Sequence, residues 1–167
     1  DDPSKGWRED ILLVASGLSL EDEIQFGFND ASIALCQTFV EPQGFHCSKV
    51  FNFPSKPEHE PFQGAGPEIR KEINEGTVLL NYYGHGGGFQ WDLVFLEDDI
   101  YLLENNGRLP IVLSVTCYTA HFDNQKVFGE IFNEVEGKGS VGFYGSSGLT
   151  YWGVGKSLNN QLFDEIF

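Results

Sequence analysis

The sequence predicts an α/β fold, a three-layer α/β/α sandwich around a mainly parallel sheet. Short, continuously apolar runs such as ILLVA, LLNYY and IVLSV recur without the alternation of a half-exposed strand, the pattern of strands buried on both faces. Between them lie segments whose apolar residues recur at the helical period. Strand and helix alternate along the chain, as they do when helices form the crossovers of a parallel sheet. The 167 residues, 41% hydrophobic and 14% aromatic, suffice for one globular domain with an apolar core.

Residues 10–17, DILLVASG, read as the first buried strand, closed by Gly17. Ser19 followed by Asp22 resembles a helix cap. FNDASIALCQTFV (28–40) has helical spacing through Ile33, Cys36, Gln37 and Val40, with Pro42 marking its end. CSKVFNF (47–53) alternates as a second strand, and PSKPEHEPFQGAG (54–66), with three prolines, reads as an exposed loop. Pro67 opens a helix that buries Ile69 and Ile73 and stops at Gly76. TVLLNYY (77–83) is the third strand. DLVFLEDDIYLLENNG (92–107) is expected to be helical across Leu96, Ile100 and Leu103, ending at Gly107. LPIVLSVT (109–116) is the fourth strand, VFGEIFNEV (127–135) a helix presenting Phe128, Ile131, Phe132 and Val135, SVGFYGS (140–146) the fifth strand and SLNNQLFDEIF (157–167) the terminal helix.

The formal charge of −15, from 25 acidic and 10 basic residues, opposes binding to nucleic acid or an anionic membrane and leaves a basic partner open. No run is long and apolar enough to span a membrane, so no direct membrane insertion is expected. DDPSKGWRED at the start lacks the basic beginning and apolar middle of a signal peptide. The absence of Met, even at residue 1, agrees with processing or subcloning. Cys36, Cys47 and Cys117 are an odd set without CxxC spacing. They outline neither a disulfide framework nor a zinc knuckle, and one must remain unpaired within a monomer.

Ligands of open parallel sheets collect beyond the carboxyl ends of the strands. There the chain carries two reactive side chains: His85, in NYYGHGGGFQW after the third strand, and Cys117, in VLSVTCYTAHFD after the fourth. GHGGG has neither the GxGxxG spacing of a dinucleotide loop nor the Lys and Ser or Thr of a P-loop. A Cys and a His at two strand ends suit nucleophilic catalysis: a thiolate to attack, an imidazole to move the proton, and N–H donors to hold the developing oxyanion. Gly86 offers an unobstructed N–H in an open turn, and Cys117 offers its own. Two other chemistries compete for these residues. Cys117 and His121 have C-x3-H spacing with Asp123 nearby, but Cys36 and Cys47 do not complete a four-ligand zinc pattern, and Asp123 reads more simply as a cap for the following helix. GSSGL lacks the GxSxG spacing of a serine hydrolase.

The blocks VLLNYYGHGG, LPIVLSVTCYTAHFD, FGEIF and KGSVGFYGSSGLTYW, with WREDILLVASG upstream, resemble the gingipain-like C25 cysteine peptidases of the caspase–haemoglobinase fold clan over nearly the whole chain. The resemblance implies a caspase–haemoglobinase-like sandwich and an endopeptidase. In it His85 is the general acid and base, Cys117 attacks the scissile carbonyl to form an acyl-enzyme, and the N–H groups of Gly86 and Cys117 form the oxyanion hole. It implies further that GSSGLTYW brings Ser146, Ser147 and Trp152 toward the substrate side chain, Trp152 as an aromatic wall. Trp91 is a further substrate-binding candidate. The ligand would be a peptide or protein and catalysis would need no cofactor, while acidic loops leave room for a structural calcium ion. The protein is expected to be secreted or at the cell surface, with residues 1–167 a catalytic subdomain of a longer multidomain protein whose other domains are partners. The resemblance calls for an acidic residue near the end of the first strand, where Ser16 and Gly17 stand instead. No single Asp or Glu matches the acidic pocket with which characterised gingipains select basic residues. The alternative is a peptidase-like scaffold, weak or inactive in catalysis, that serves protein binding or secretion-related assembly.

Overall fold

The computed structural model describes residues 6–123 and 126–167. Its strands are β1 (Asp10–Ser16), β2 (His46–Phe51), β3 (Leu79–Gly84), β4 (Gln90–Trp91), β5 (Phe95–Leu96), β6 (Ile111–Val115) and β7 (Gly142–Gly145). Its helices are α1 (Leu20–Phe26), α2 (Phe28–Leu35), α3 (Gly66–Glu75), α4 (Glu97–Tyr101), α5 (Phe128–Glu134) and α6 (Trp152–Ile166). Five strands form one sheet in the order β2-β1-β3-β6-β7, every neighbouring pair parallel. The α/β/α sandwich read from the sequence is the fold observed.

Strand alternation sorts the core into two layers. Leu12, Val14, Leu80, Tyr82 and Val112 face one side and bury against Ile69 and Ile73 of α3, Ile100 of α4 and Phe128 and Phe132 of α5. Ile11, Leu13, Leu79 and Leu113 face the other, against Leu35, Cys36, Val40 and Phe163. At the carboxyl ends of the strands that second layer continues through Ala15, Tyr83 and Val115, with Phe28 and Ala31 of α2. Both faces being covered explains why the strands read as unbroken apolar runs.

Four segments depart from the sequence reading. Residues 92–107 do not form one helix: β4 and β5 make a small antiparallel hairpin, and only the short α4 follows. Trp91 and Phe95 sit opposite one another in that hairpin and are both fully buried, while Leu93 at its tip is exposed and Asp92 takes a left-handed φ of 46°. Burying two large aromatic rings side by side outweighs the helical period of the segment. The helix expected over 28–40 is regular only to Leu35 and continues as a wider turn over Cys36–Val40. The loop at 54–66 contains a 3-10 turn, Pro57–Phe62, that buries His59 completely. The terminal helix begins five residues early, at Trp152 rather than 157.

The cysteines also correct the expectation. Cys36 and Cys47 form a disulfide, with Cα atoms 6.2 Å apart, and Cys117 is free. The bond ties the end of the first crossover to the start of the edge strand β2, a proximity that depends on the crossover's path and carries no spacing signature.

Candidate active site

β3 lies between β1 and β6, with Tyr83 opposite both Ala15 and Val115. His85 and Cys117 each follow by two residues, so they leave the sheet at the same level from adjacent strands. Tyr83 and Val115 belong to the α2 side of the core, and carrying the two-residue period past the strand ends directs His85 and Cys117 to that side as well. The contacts agree. The His85 ring meets Phe26 and Phe28 edge-on, with centroids 5.8 and 5.4 Å away. Cys117 Sγ accepts the Thr150 N–H at 3.3 Å, just before α6.

Glycine is required twice in this turn by close approach. A Cβ on Gly84 would lie 2.2 Å from the Ser16 carbonyl oxygen, and one on Gly86 would lie 2.8 Å from Thr116 Oγ1 and 3.0 Å from the Gln90 carbonyl oxygen. The GHGGG turn thus packs directly against the residue preceding Cys117. Its backbone is held by His85 N–H donating to the Ser16 carbonyl and Gly87 N–H to that of Gln90, while Tyr118 N–H donates to Gly148. Among the described residues these turn bonds leave the N–H groups of Gly86 and Cys117 without a carbonyl partner. Tyr118 has a φ of 58°, an uncommon conformation for a bulky residue, so the chain turns sharply immediately after the cysteine.

A carboxylate backs His85, and it comes from α1. Ser19 Oγ accepts the Asp22 N–H at 3.2 Å, as the sequence predicts, and Asp22 Oδ2 accepts the Leu18 N–H at 2.8 Å. That same oxygen lies 2.9 Å from His85 Nε2. The ring N–H does not point along this line, so the contact is a close polar pair rather than an aligned hydrogen bond. Ser16 and Gly17 occupy the end of the first strand, and the carboxylate beside His85 comes instead from Asp22 in α1. Capping chemistry alone accounts for its place in the sequence, and its second role emerges only when α1 folds back over the ends of β1 and β3.

A second carboxylate, Asp92, is almost fully buried beyond the glycine turn. Ser16 Oγ lies 3.4 Å from its Oδ2. Burial pushes its carboxyl above the usual range, opposed by the Ser16 hydroxyl and by the charge of His85. It borders a cavity of about 410 Å³ lined by Leu18, the 85–90 turn and Asp92 itself. Next to Asp22, Glu23 is fully buried: Oε1 accepts the Asn29 N–H at 3.0 Å and Oε2 has no hydrogen-bond partner. Burial pushes the Glu23 carboxyl up to about 7.

The expected substrate-binding residues divide. The loop after β7 wraps the cysteine turn: Ala120 N–H donates to the Ser146 carbonyl, and His121 Nδ1 lies 2.7 Å from the Ser147 carbonyl oxygen. Trp152 is 43% exposed, its indole N–H donates to the Phe26 carbonyl at 2.7 Å, and its ring centroid lies 6.0 Å from that of Phe26. Trp91 is a correction. It has no exposed surface, stacks on Tyr82 at 4.7 Å and donates to Ser114 Oγ at 2.8 Å, so it belongs to the core layer against α5 and cannot meet a substrate side chain. Asp123 is another: Val127 is the cap of α5, its N–H taken by Glu130 at 3.0 Å, while Asp123 lies 3.3 Å from His121 Nε2. Among the described residues no three His, Cys, Asp or Glu side chains gather as a metal site, and no helix is long and apolar enough to cross a membrane.

The model of peptidase family C25 matches residues 1–167. Lys-gingipain W83 of Porphyromonas gingivalis is 28% identical over 153 residues, covering 90% of this chain. The chain spans 8% of the length of that relative. Among solved structures, the complex of the Porphyromonas gingivalis RgpB pro- and mature domains aligns with a TM-score of 0.76 at 18% identity, covering 97% of this chain and 38% of that one. The Arg-specific cysteine proteinase gingipain R aligns with a TM-score of 0.72 at 20% identity, covering 98% and 38%.

Proposed function

Since the chain belongs to peptidase family C25, we propose that residues 1–167 are the catalytic subdomain of a secreted or cell-surface cysteine endopeptidase. The observation that carries this reading is the exit of His85 and Cys117 from adjacent parallel strands at one level and toward one face. In the proposed reaction the Cys117 thiolate attacks the scissile carbonyl carbon, and the N–H groups of Gly86 and Cys117, without a carbonyl partner among the described residues, hold the oxyanion. His85 gives a proton to the departing amine and later takes one from the water that hydrolyses the thioester. Asp22 stabilises the imidazolium and limits its rotation. Catalysis requires no metal in this scheme.

The Cys36–Cys47 disulfide supports an oxidising compartment. The relatives named above are far longer than this chain and one structure is a complex of pro- and mature domains, which supports a multidomain protein whose other domains are partners. Intact-mass spectrometry after treatment with peptidyl thiol-directed probes tests the reading. One adduct on Cys117, absent from Cys117→Ala together with all peptide cleavage, is the expected result. Failure of every probe, with no turnover of basic, acidic or apolar substrates, would leave the protein-binding scaffold as the correct alternative.

A further inference from the structure

We propose that the cavity beside the glycine turn receives the substrate residue that follows the scissile bond, and that its carboxylate, Asp92, selects Lys or Arg at that position. The inference rests on the cysteine-peptidase reading and adds to it a substrate class on the leaving-group side.

The order of the strand ends sets the direction. Cys117 follows β6 and His85 follows β3, while β1 lies on the far side of β3 from β6. The cavity, about 410 Å³, is bordered by His85, Gly86 and Leu18, which stands just beyond β1. Among the described residues its lining comes from position 18 and from 85–92, with none from the loops after β6 or β7. It therefore lies past His85 as seen from Cys117. His85 gives its proton to the departing amine, so the segment that carries this amine leaves the thiol in that direction. The fold does not itself require glycine at 87 or 88. Both residues line the cavity, neither takes a left-handed φ, and a Cβ on either would meet no atom within 4 Å. Bare backbone at these two positions keeps the cavity wide.

The lining suits a long cationic side chain. Leu18 and Phe89, 62% and 45% exposed, offer apolar surface to a methylene stem. Asp92, only 6% exposed, offers a carboxylate. None of the lysines and arginines that pair with carboxylates among the described residues pairs with it. The Ser16 hydroxyl lies 3.4 Å away, and burial holds the carboxyl above its usual range. A substrate cation would supply the missing charge partner. Asp22 adds to the same negative field, and the formal charge of −15 favours the approach of a basic segment. A Glu side chain in the cavity would meet a like charge, and a Leu side chain would leave Asp92 unpaired.

The test uses internally quenched peptides that differ only in the residue after the scissile bond, with kcat/KM as the readout and mass spectrometry to locate the cut. The residue before the bond is fixed as that of the fastest peptidyl probe. Lys and Arg peptides are expected to be cut about tenfold faster than the Leu peptide, with the Glu peptide slowest. Asp92→Asn is isosteric and tolerates the φ of 46°, and it should lower the Lys-to-Leu ratio about tenfold. Leu18→Lys, at an exposed position, brings a cation to the cavity and should lower the same ratio, which decides the matter if Asp92→Asn does not fold. Gly87→Leu should slow the Lys, Arg and Leu peptides together relative to an Ala peptide. Equal rates across the series, or a Lys preference that survives both Asp92→Asn and Leu18→Lys, would overturn the proposal and leave the peptidase reading intact. Cuts that follow Lys or Arg, with that selectivity lost in Asp92→Asn, would also overturn it by assigning the cavity to the acyl side. No cut in any peptide and no probe adduct, with Cys117 still open to iodoacetamide, would remove the peptidase reading and this proposal together.

Discussion

Two histidines in this molecule lie against aspartates at nearly equal separations, 2.9 Å for His85–Asp22 and 3.0 Å for His59–Asp30, in opposite settings. His59 is fully buried. Its Nδ1 faces Ser55 Oγ at 3.2 Å and Asn29 Nδ2 at 3.3 Å, and its Nε2 faces Asp30. Asn29 and Ser55 can supply the protons at Nδ1, so a neutral ring that donates from Nε2 satisfies every partner. This pair ties the Pro57–Phe62 turn to α2. The His85 side chain is 36% exposed, its N–H is off the line to Asp22, and its Nδ1 takes no hydrogen bond among the described residues. Aromatic edges position the ring while one nitrogen stays free for a reacting proton. Hydrogen-bond completeness and place in the sheet, more than separation, distinguish a structural pair from a reactive one.

The contrast breaks most visibly in two alanine variants. His85→Ala is expected to slow peptidyl-probe labelling of Cys117 by about a thousandfold, the scale of a lost acid–base group, with little change in the denaturation midpoint. His59→Ala should do the reverse, costing about 3 kcal/mol in urea denaturation because it leaves buried partners unsatisfied, with labelling per folded molecule unchanged. Equal loss of labelling in both variants would show that the two pairs act as one unit.

Glu23 joins the two regions, since it follows Asp22 in the chain and holds the N–H of Asn29, whose side chain meets His59. Its carboxyl is pushed up to about 7 from 4.5, chiefly by burial, with Asp30 and Asp22 adding repulsion. Between those two pH values the native state binds the Glu23 proton and the unfolded state does not, so stability from this group falls as pH rises and levels off above about 7. The loss is on the order of 3 kcal/mol. Glu23→Gln should remove that slope. Urea denaturation at pH 5 and pH 8 is expected to show wild type losing stability relative to the variant at the higher pH, and parallel behaviour would dissociate Glu23 from the effect.

The sequence made one of these histidines visible and hid the other. His85 follows a buried strand and precedes three glycines, so strand topology and turn chemistry both draw attention to it. His59 lies among prolines in a segment that reads as an exposed loop, and its burial follows from the turn folding against β2 and α2. The parallel sheet was legible because double-sided burial removes alternation from the strands. The β4–β5 hairpin was not, because Leu96, Ile100 and Leu103 keep a helical period across it. Asp22 was legible as a cap but silent as a partner of His85, because that contact needs β1 and β3 to be neighbours. Pairing of Cys36 with Cys47 depends on crossover geometry in the same way.

The finest separation comes from the two aspartates. Asp22→Asn keeps an oxygen for the Leu18 N–H, so α1 should stay in place, but it removes the negative charge that lies against His85. Labelling of Cys117 by a peptidyl probe is expected to fall by about tenfold, equivalent to about 1.4 kcal/mol. The urea denaturation midpoint should stay unchanged, which separates this loss from a structural one. Asp30→Asn weakens a half-exposed contact with His59 and Lys56, and should cost at most about 1 kcal/mol of stability with the labelling rate intact. If Asp30→Asn slows labelling as far as Asp22→Asn does, the field of the whole acidic cluster acts on the dyad, and the close pair at 2.9 Å has no privileged role.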